Sequence, residues 1–116
     1  LNTYSKALGR YIRYPISPFF FRIKKNIANL FAHPQDWIMI ELQGEPWGKT
    51  AFQDLPQAER DLTMNPEKFK EIIEFSRQTG FRTFYLWGVE WWYWEKETLH
   101  NDFYWQETKK LFTHQQ

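Results

Sequence analysis

Two short segments bring carboxylates and indoles together. Glu41-Leu42-Gln43-Gly44-Glu45-Pro46-Trp47-Gly48 follows the apolar run Trp37-Ile38-Met39-Ile40, and Trp87-Gly88-Val89-Glu90-Trp91-Trp92-Tyr93-Trp94 follows Phe81 to Leu86. Sugar chemistry needs this combination: a carboxylate to meet the anomeric carbon, and flat apolar rings to stack on the C–H face of a pyranose. Glu41 interrupts an apolar strand, where an ionised carboxylate is costly without a partner or a purpose. It is the candidate catalytic residue, with an acid paired to an arginine as the structural alternative.

Gln43, Glu45, Trp47, Trp87, Glu90 and Trp91 are the candidate substrate contacts. Glu45 reads either as a ligand for sugar hydroxyls or as a solvated loop acid. Trp87 reads as the floor of a sugar site or as core packing. Glu90 is a substrate ligand or a buried acid held by the N–H and O–H groups of its aromatic neighbours. The four adjacent rings at 91–94 cannot all face one way, so about half of them are expected to be structural.

Other chemistries find less support. His33, His100 and His114 are scattered without metal-ligand spacing and are read as surface residues. No Gly-rich phosphate loop, nucleophile elbow or dinucleotide fingerprint occurs, and Ser5, Ser17 and Ser76 sit in helix or cap contexts. No metal or cofactor is expected. Lys and Arg number 15 against 14 for Asp and Glu, so nothing electrostatic points to nucleic acid or an anionic membrane. No run approaches the length of a membrane helix, and the N-terminus lacks the order of a signal peptide. There is no cysteine, which leaves the compartment open, export included.

The elements that must position these residues follow from pattern. Ser17-Pro18 is a cap followed by a first-turn proline. Phe20, Ile23, Ile27, Leu30 and Phe31 then form a stripe at helical spacing, with Arg22, Lys24, Lys25, Asn26 and Asn29 on a solvated side. His33 and Pro34 end that helix. Trp37 to Leu42 suits a strand covered on both faces. From Gln43 the chain is irregular, with one helical turn near Ala58 to Leu62, a connection long enough to be functional or mobile. Asn65-Pro66 opens the clearest helix, striped by Phe69, Ile72, Ile73 and Ser76 and stopped at Gly80. Phe81 to Trp87 is a second strand. A loop and a last helix from near Asn101 follow, through Trp105, Thr108, Leu111 and Phe112. Before the first helix, Tyr11, Ile12 and Tyr14 read as extended ahead of Pro15.

Alternation of this kind implies β-α-β crossovers and a parallel sheet in one α/β domain, residues 1–116. Active sites in such folds sit at the C-terminal ends of the strands, where both segments lie. Aromatic content is high, at 21% with seven Trp, more than a small core absorbs, so some rings are expected to face a ligand or a partner.

At these residues the chain resembles clan A glycoside hydrolases, the retaining (β/α)8 enzymes of cellulase-like, xylanase-like and β-galactosidase-like families. It looks closest to bacterial cellulase-like proteins with a Glu-Leu-Gln-x-Glu-Pro-Trp segment and a later Trp-Gly-x-Glu-Trp-Trp-Tyr-Trp segment, over about Arg10 to the C-terminus. Trp-Ile-Met-Ile-Glu41 looks like the nucleophile end of the seventh strand, and Tyr-Leu-Trp87-Gly like the end of the eighth. The resemblance implies a partial TIM barrel, the C-terminal strand-helix units of a fold of about 250 residues. The first residue, Leu rather than Met, is read the same way, as the start of an excised piece. By resemblance Glu41 attacks the anomeric carbon, while a carboxyl about 5 to 5.5 Å away protonates the leaving oxygen. The family's acid/base Glu belongs to a strand-four region outside this sequence, so the fragment alone is expected to be inactive unless Glu45 or Glu90 substitutes. Its expected partners are a carbohydrate substrate and the missing N-terminal part of the barrel. The competing expectations are a non-catalytic carbohydrate-binding module using Trp47, Trp87, Trp91 and Trp92, and an interaction module whose aromatic surface docks another subunit.

Overall fold

The structure is a computed structural model that describes residues 4–7, 10–13 and 15–113, with side chains described at 13 and from 15 to 113. The readings of Tyr14 as extended and of His114 as a surface histidine lie outside the described residues. Strand β1 (Tyr4–Ala7) pairs antiparallel with β2 (Arg10–Arg13), so Tyr11 and Ile12 are extended as expected.

Helix α1 (Pro18–Ala32) starts where its cap requires: the Ser17 hydroxyl accepts from the Phe19 amide at 3.1 Å. Such a cap stabilises a helix by about 1 kcal/mol. His33, in the left-handed region at φ 43°, ends it. The faces of α1 differ from expectation. Phe20, Ile23, Ile27, Leu30 and Phe31 are all exposed, Phe31 to 83%, and no residue of the helix is buried. On the side read as solvated, Arg22, Lys24 and Asn26 are exposed as expected, while Lys25 and Asn29 make contacts. Lys25 Nζ donates to the Gly80 carbonyl at 2.6 Å, and Asn29 accepts from the Trp37 indole N–H at 2.9 Å. Beside them Phe21 lies edge-on to Phe75 and Phe81. The reason is that α1 docks along a single flank, so only the Phe21–Lys25–Asn29 side meets the chain.

Strand β3 (Ile38–Gln43) pairs in parallel with β4 (Thr83–Trp87). Ile38 lies opposite Thr83, Met39 opposite Phe84, Leu42 opposite Leu86 and Gln43 opposite Trp87. Three steps on β3 match two on β4, so one extra residue is inserted at Ile40–Glu41, a β-bulge. A 3-10 turn (Phe52–Asp54), α2 (Gln57–Thr63) and α3 (Pro66–Gln78) form the crossover. Asn65 caps α3 by accepting from the Lys68 amide at 2.9 Å, and Gly80, at φ 75°, follows its end. The crossover is not an open loop. Leu55, Thr63 and Met64 are buried, and Arg60 donates to the carbonyls of Leu55 (2.6 Å) and Phe52 (3.3 Å) and to the Gln57 side chain (2.6 Å).

After β4, residues expected to form a loop instead form helix α4 (Val89–Thr98), and α5 (Phe103–Thr113) follows. The aromatic run gives no 3.6-residue pattern, so periodicity could not find α4; burial of Trp91, Trp92 and Glu95 on its inner side holds it in place. The core unites Met39 and Leu42 of β3 with Met64, Phe69, Ile72, Trp91, Trp92 and Tyr104. It occupies one side of the sheet. The other side carries Ile38, Ile40, Tyr85 and Trp87, all exposed, Ile40 to 71%. β3 is thus covered on one face rather than both, because every helix packed on the sheet approaches from the Met39–Leu42 side. The result is an α/β arrangement built on a two-stranded parallel sheet, with extents of 48 × 42 × 20 Å. Among the described residues no helix is long and apolar enough to cross a membrane.

Candidate functional site

The strand ends approach closely because each is followed by glycine. A Cβ on Gly44 would stand 2.6 Å from the Trp87 carbonyl oxygen, and one on Gly88 would stand 2.8 Å from the Gly44 carbonyl. Gly88 also holds φ 135°, a conformation side chains rarely tolerate. The buried Trp92 indole N–H donates to the Gly44 carbonyl at 2.6 Å, pinning the start of α4 to the end of β3.

This apposition carries Glu45 to Trp87. The Trp87 indole N–H donates to Glu45 Oε1 at 3.0 Å, across 42 residues of sequence. Gln43, almost fully buried, donates its side-chain amide to the Glu45 carbonyl at 3.1 Å and so braces the turn. Partial burial pushes the Glu45 carboxyl above its ordinary value, the Trp87 hydrogen bond opposes that rise, and the charge of Glu90 adds to it. Glu90 lies exposed in the first turn of α4. Trp47 is anchored through its amide, which donates to the Thr63 hydroxyl at 3.0 Å, and leaves its ring exposed.

Glu41 stands apart from this group. It sits in the bulge of β3, exposed, with no hydrogen-bond or ion-pair partner among the described residues. It precedes Gln43, the residue level with Trp87, by two positions, about 7 Å of strand rise. Exposure removes the desolvation cost that made a strand carboxylate conspicuous, and among the described residues no arginine pairs with it. Bulges of this kind re-aim side chains at barrel rims and beside active sites.

Trp91 is placed elsewhere. It is 1% exposed, its ring centroid 4.1 Å from that of Tyr104, so it has no surface to offer a ligand. Trp92 is buried as well, and Trp94 lies under the Arg60 guanidinium at 5.0 Å, leaving Tyr93 as the exposed ring of the four. The structure therefore brings together Glu45, Trp87 and Glu90, with Gln43 as a brace, and separates Trp91 from them. The roles of Gly44, Gly88 and Trp92 escaped sequence reading. Glycine directly after each strand was the available signal for a close backbone approach.

Among the described residues no cluster of three His, Asp or Glu side chains could hold a metal ion. A groove of 710 Å³ lies between Ile73, Leu86, Leu111 and Phe112, and none of the candidate residues lines it. The strand-end group offers a partly desolvated carboxyl able to carry a proton, a second carboxylate beside it, and exposed indole faces. Compared with known protein families, with characterised proteins and with solved structures, the chain matches none.

Proposed function

We propose that this chain is a strand-helix section of a (β/α)8 barrel that handles carbohydrate, with the chemistry of a retaining glycoside hydrolase. The observation that carries this reading is the Trp87–Glu45 hydrogen bond at the C-terminal ends of two parallel strands, with Glu90 alongside. A carboxyl whose surroundings raise its proton affinity is suited to proton donation in glycoside chemistry. Here partial burial raises the Glu45 carboxyl above its ordinary value, and Glu41 is exposed.

In the proposed reaction the Glu41 carboxylate attacks the anomeric carbon as the glycosidic C–O bond breaks, and Glu45 gives its proton to the departing oxygen. Glu45 then takes a proton from water as that water displaces Glu41, restoring both groups. Trp87 and Trp47 offer ring faces to the sugar. A second reading, binding without cleavage, draws on the exposure of Trp47 and Trp87 and on the absence, among the described residues, of any partner orienting Glu41.

Titration with cello- and xylo-oligosaccharides followed by Trp fluorescence, together with a reducing-end assay, tests both. Quenching that disappears in Trp87→Ala and reducing ends that disappear in Glu41→Gln support the hydrolase. Quenching without cleavage supports the binding module. No fluorescence response to any glycan overturns both.

A further inference from the structure

The 710 Å³ groove shares no residue with the strand-end group. Leu42, Phe84 and Leu86, strand side chains that pack toward the core, line it from the sheet. Ile73 of α3 and Leu111 and Phe112 of α5 line it from the helices. A second cavity of 280 Å³ shares Ile73, Arg77 and Leu111 with it and carries the crease between α3 and α5 on to Phe69. Protein interiors leave few voids larger than a water molecule, and pockets for organic ligands run about 300–1,000 Å³. The space is therefore of ligand size, elongated and largely apolar.

Its charge is of one sign. Arg77 lies in the last turn of α3 and Arg82 directly precedes β4, and the turn between them, through Gly80 at φ 75°, brings both to the groove. Buried Thr79 fixes that turn: its hydroxyl donates to the Ser76 carbonyl at 2.6 Å and accepts from the Phe81 amide at 3.3 Å. Among the described residues Arg82 has no hydrogen-bond or ion-pair partner. Arg77 meets Glu74 only at 4.0 Å, with both side chains more than half exposed, and such a pair is weak. Among the described residues no Asp or Glu lines this groove. The acids of the second cavity, Glu74 and Glu107, are ion-paired with Arg77 and Lys110.

We infer that the groove binds a single-chain organic anion, its carboxylate or phosphate head between Arg77 and Arg82 and its hydrocarbon tail along Leu42, Leu86 and Leu111. Guanidinium groups suit either head, donating paired N–H bonds from a rigid fork. A neutral chain would leave Arg82 without a partner, and a cationic one would meet two like charges. A bare anion would leave the apolar lining uncovered. Charge and hydrophobic contact together therefore select an acidic amphiphile. This groove stands at the entry of β4 and the Glu45–Trp87 pair at its exit, so the inference does not rest on the carbohydrate reading.

Isothermal titration of the full chain with decanoate and with decyl phosphate, each below its micelle concentration, gives the test. Decanol, decyltrimethylammonium and inorganic phosphate are the comparisons. The expected result is saturable binding, at least about tenfold tighter for the two amphiphilic anions than for decanol, the margin of one charge-assisted hydrogen bond. Methyl NMR should place the tail at Leu42, Ile73, Leu86 and Leu111. Arg77→Gln and Arg82→Gln, both at exposed positions, are each expected to remove most of that margin, and Arg82→Lys to restore part of it. Phe112→Ser, at a lining position 65% exposed, should weaken decanoate and decanol alike, whereas Phe31→Ser on the α1 stripe should change neither. Equal binding of decanol and decanoate, equal binding of inorganic and decyl phosphate, methyl shifts confined to Ile23, Ile27 and Leu30 of α1, or no binding at all would each overturn the inference.

Discussion

The indole of Trp87 and the carboxylate of Glu45 meet at 3.0 Å although 42 residues separate them. The hydrogen bond favours the ionised carboxylate, while burial and the neighbouring Glu90 favour the protonated one, and the second pair of effects wins. Replacing Trp87 by Phe removes the donor and leaves burial unopposed. Glu45 should then titrate at higher pH than in the wild type, as followed by carboxyl-carbon NMR. A downward shift would contradict the assignment.

Stability should follow the same balance. Because the folded-state value of Glu45 lies above its ordinary 4.5, its contribution is fully present below 4.5 and is lost as pH rises through the folded value. Gln cannot ionise. Glu45→Gln should therefore gain on the wild type as pH rises from acid to neutral, in urea unfolding at each pH, while reducing-end release falls if the proposed proton donor is correct.

The glycine contact that creates the pair should resist enlargement. Gly44→Ala places a methyl 2.6 Å from the Trp87 carbonyl and 2.8 Å from the Trp92 ring. Overpacking of this kind costs about 1–3 kcal/mol. Gly88→Ala adds backbone strain at φ 135° to a 2.8 Å clash, and should be the more damaging of the two in denaturant unfolding.

Arg60 and Glu95 form a buried ion pair at 4.0 Å that ties the crossover to α4. Asn101 donates to the other Glu95 oxygen at 2.7 Å. Arg60→Met leaves an uncompensated buried carboxylate, and losing one member of such a pair costs about 3–5 kcal/mol. Adding Glu95→Leu should recover only part of it, because the Leu55 carbonyl still loses its 2.6 Å donor. A double-mutant cycle measures the coupling, and full recovery would show that Arg60 acts only through Glu95.

Trp91 is a core residue in the structure, and its replacement should read as one. Trp91→Ala should cost about 3–5 kcal/mol. Trp91→Phe should cost less, since the indole N–H has no hydrogen-bond partner to lose. Glycan-induced quenching by Trp87 should survive in Trp91→Phe.

Much of the fold could be read locally. The Ser17 and Asn65 caps, the His33 stop, the α3 stripe and both parallel strands lie where residue type and spacing put them, since each depends on groups a few positions apart. Helix α4 was not legible, because Trp91-Trp92-Tyr93-Trp94 has no polar face to mark a period. The α1 stripe was legible as a helix face, but its exposure was not, since spacing does not say what lies opposite.

Sequence by itself determined the α/β alternation and put two acidic, indole-rich segments at strand ends. Tertiary structure decided which carboxylate meets which ring. The bulge at Ile40–Glu41 and the Gly44–Gly88 approach bring Glu45, not Glu41, to Trp87, and packing against Tyr104 withdraws Trp91 into the core. The division has a physical cause. Caps and periodic stripes are settled by neighbours within a turn, whereas a register shift or a contact across 42 residues exists only once both partners are folded.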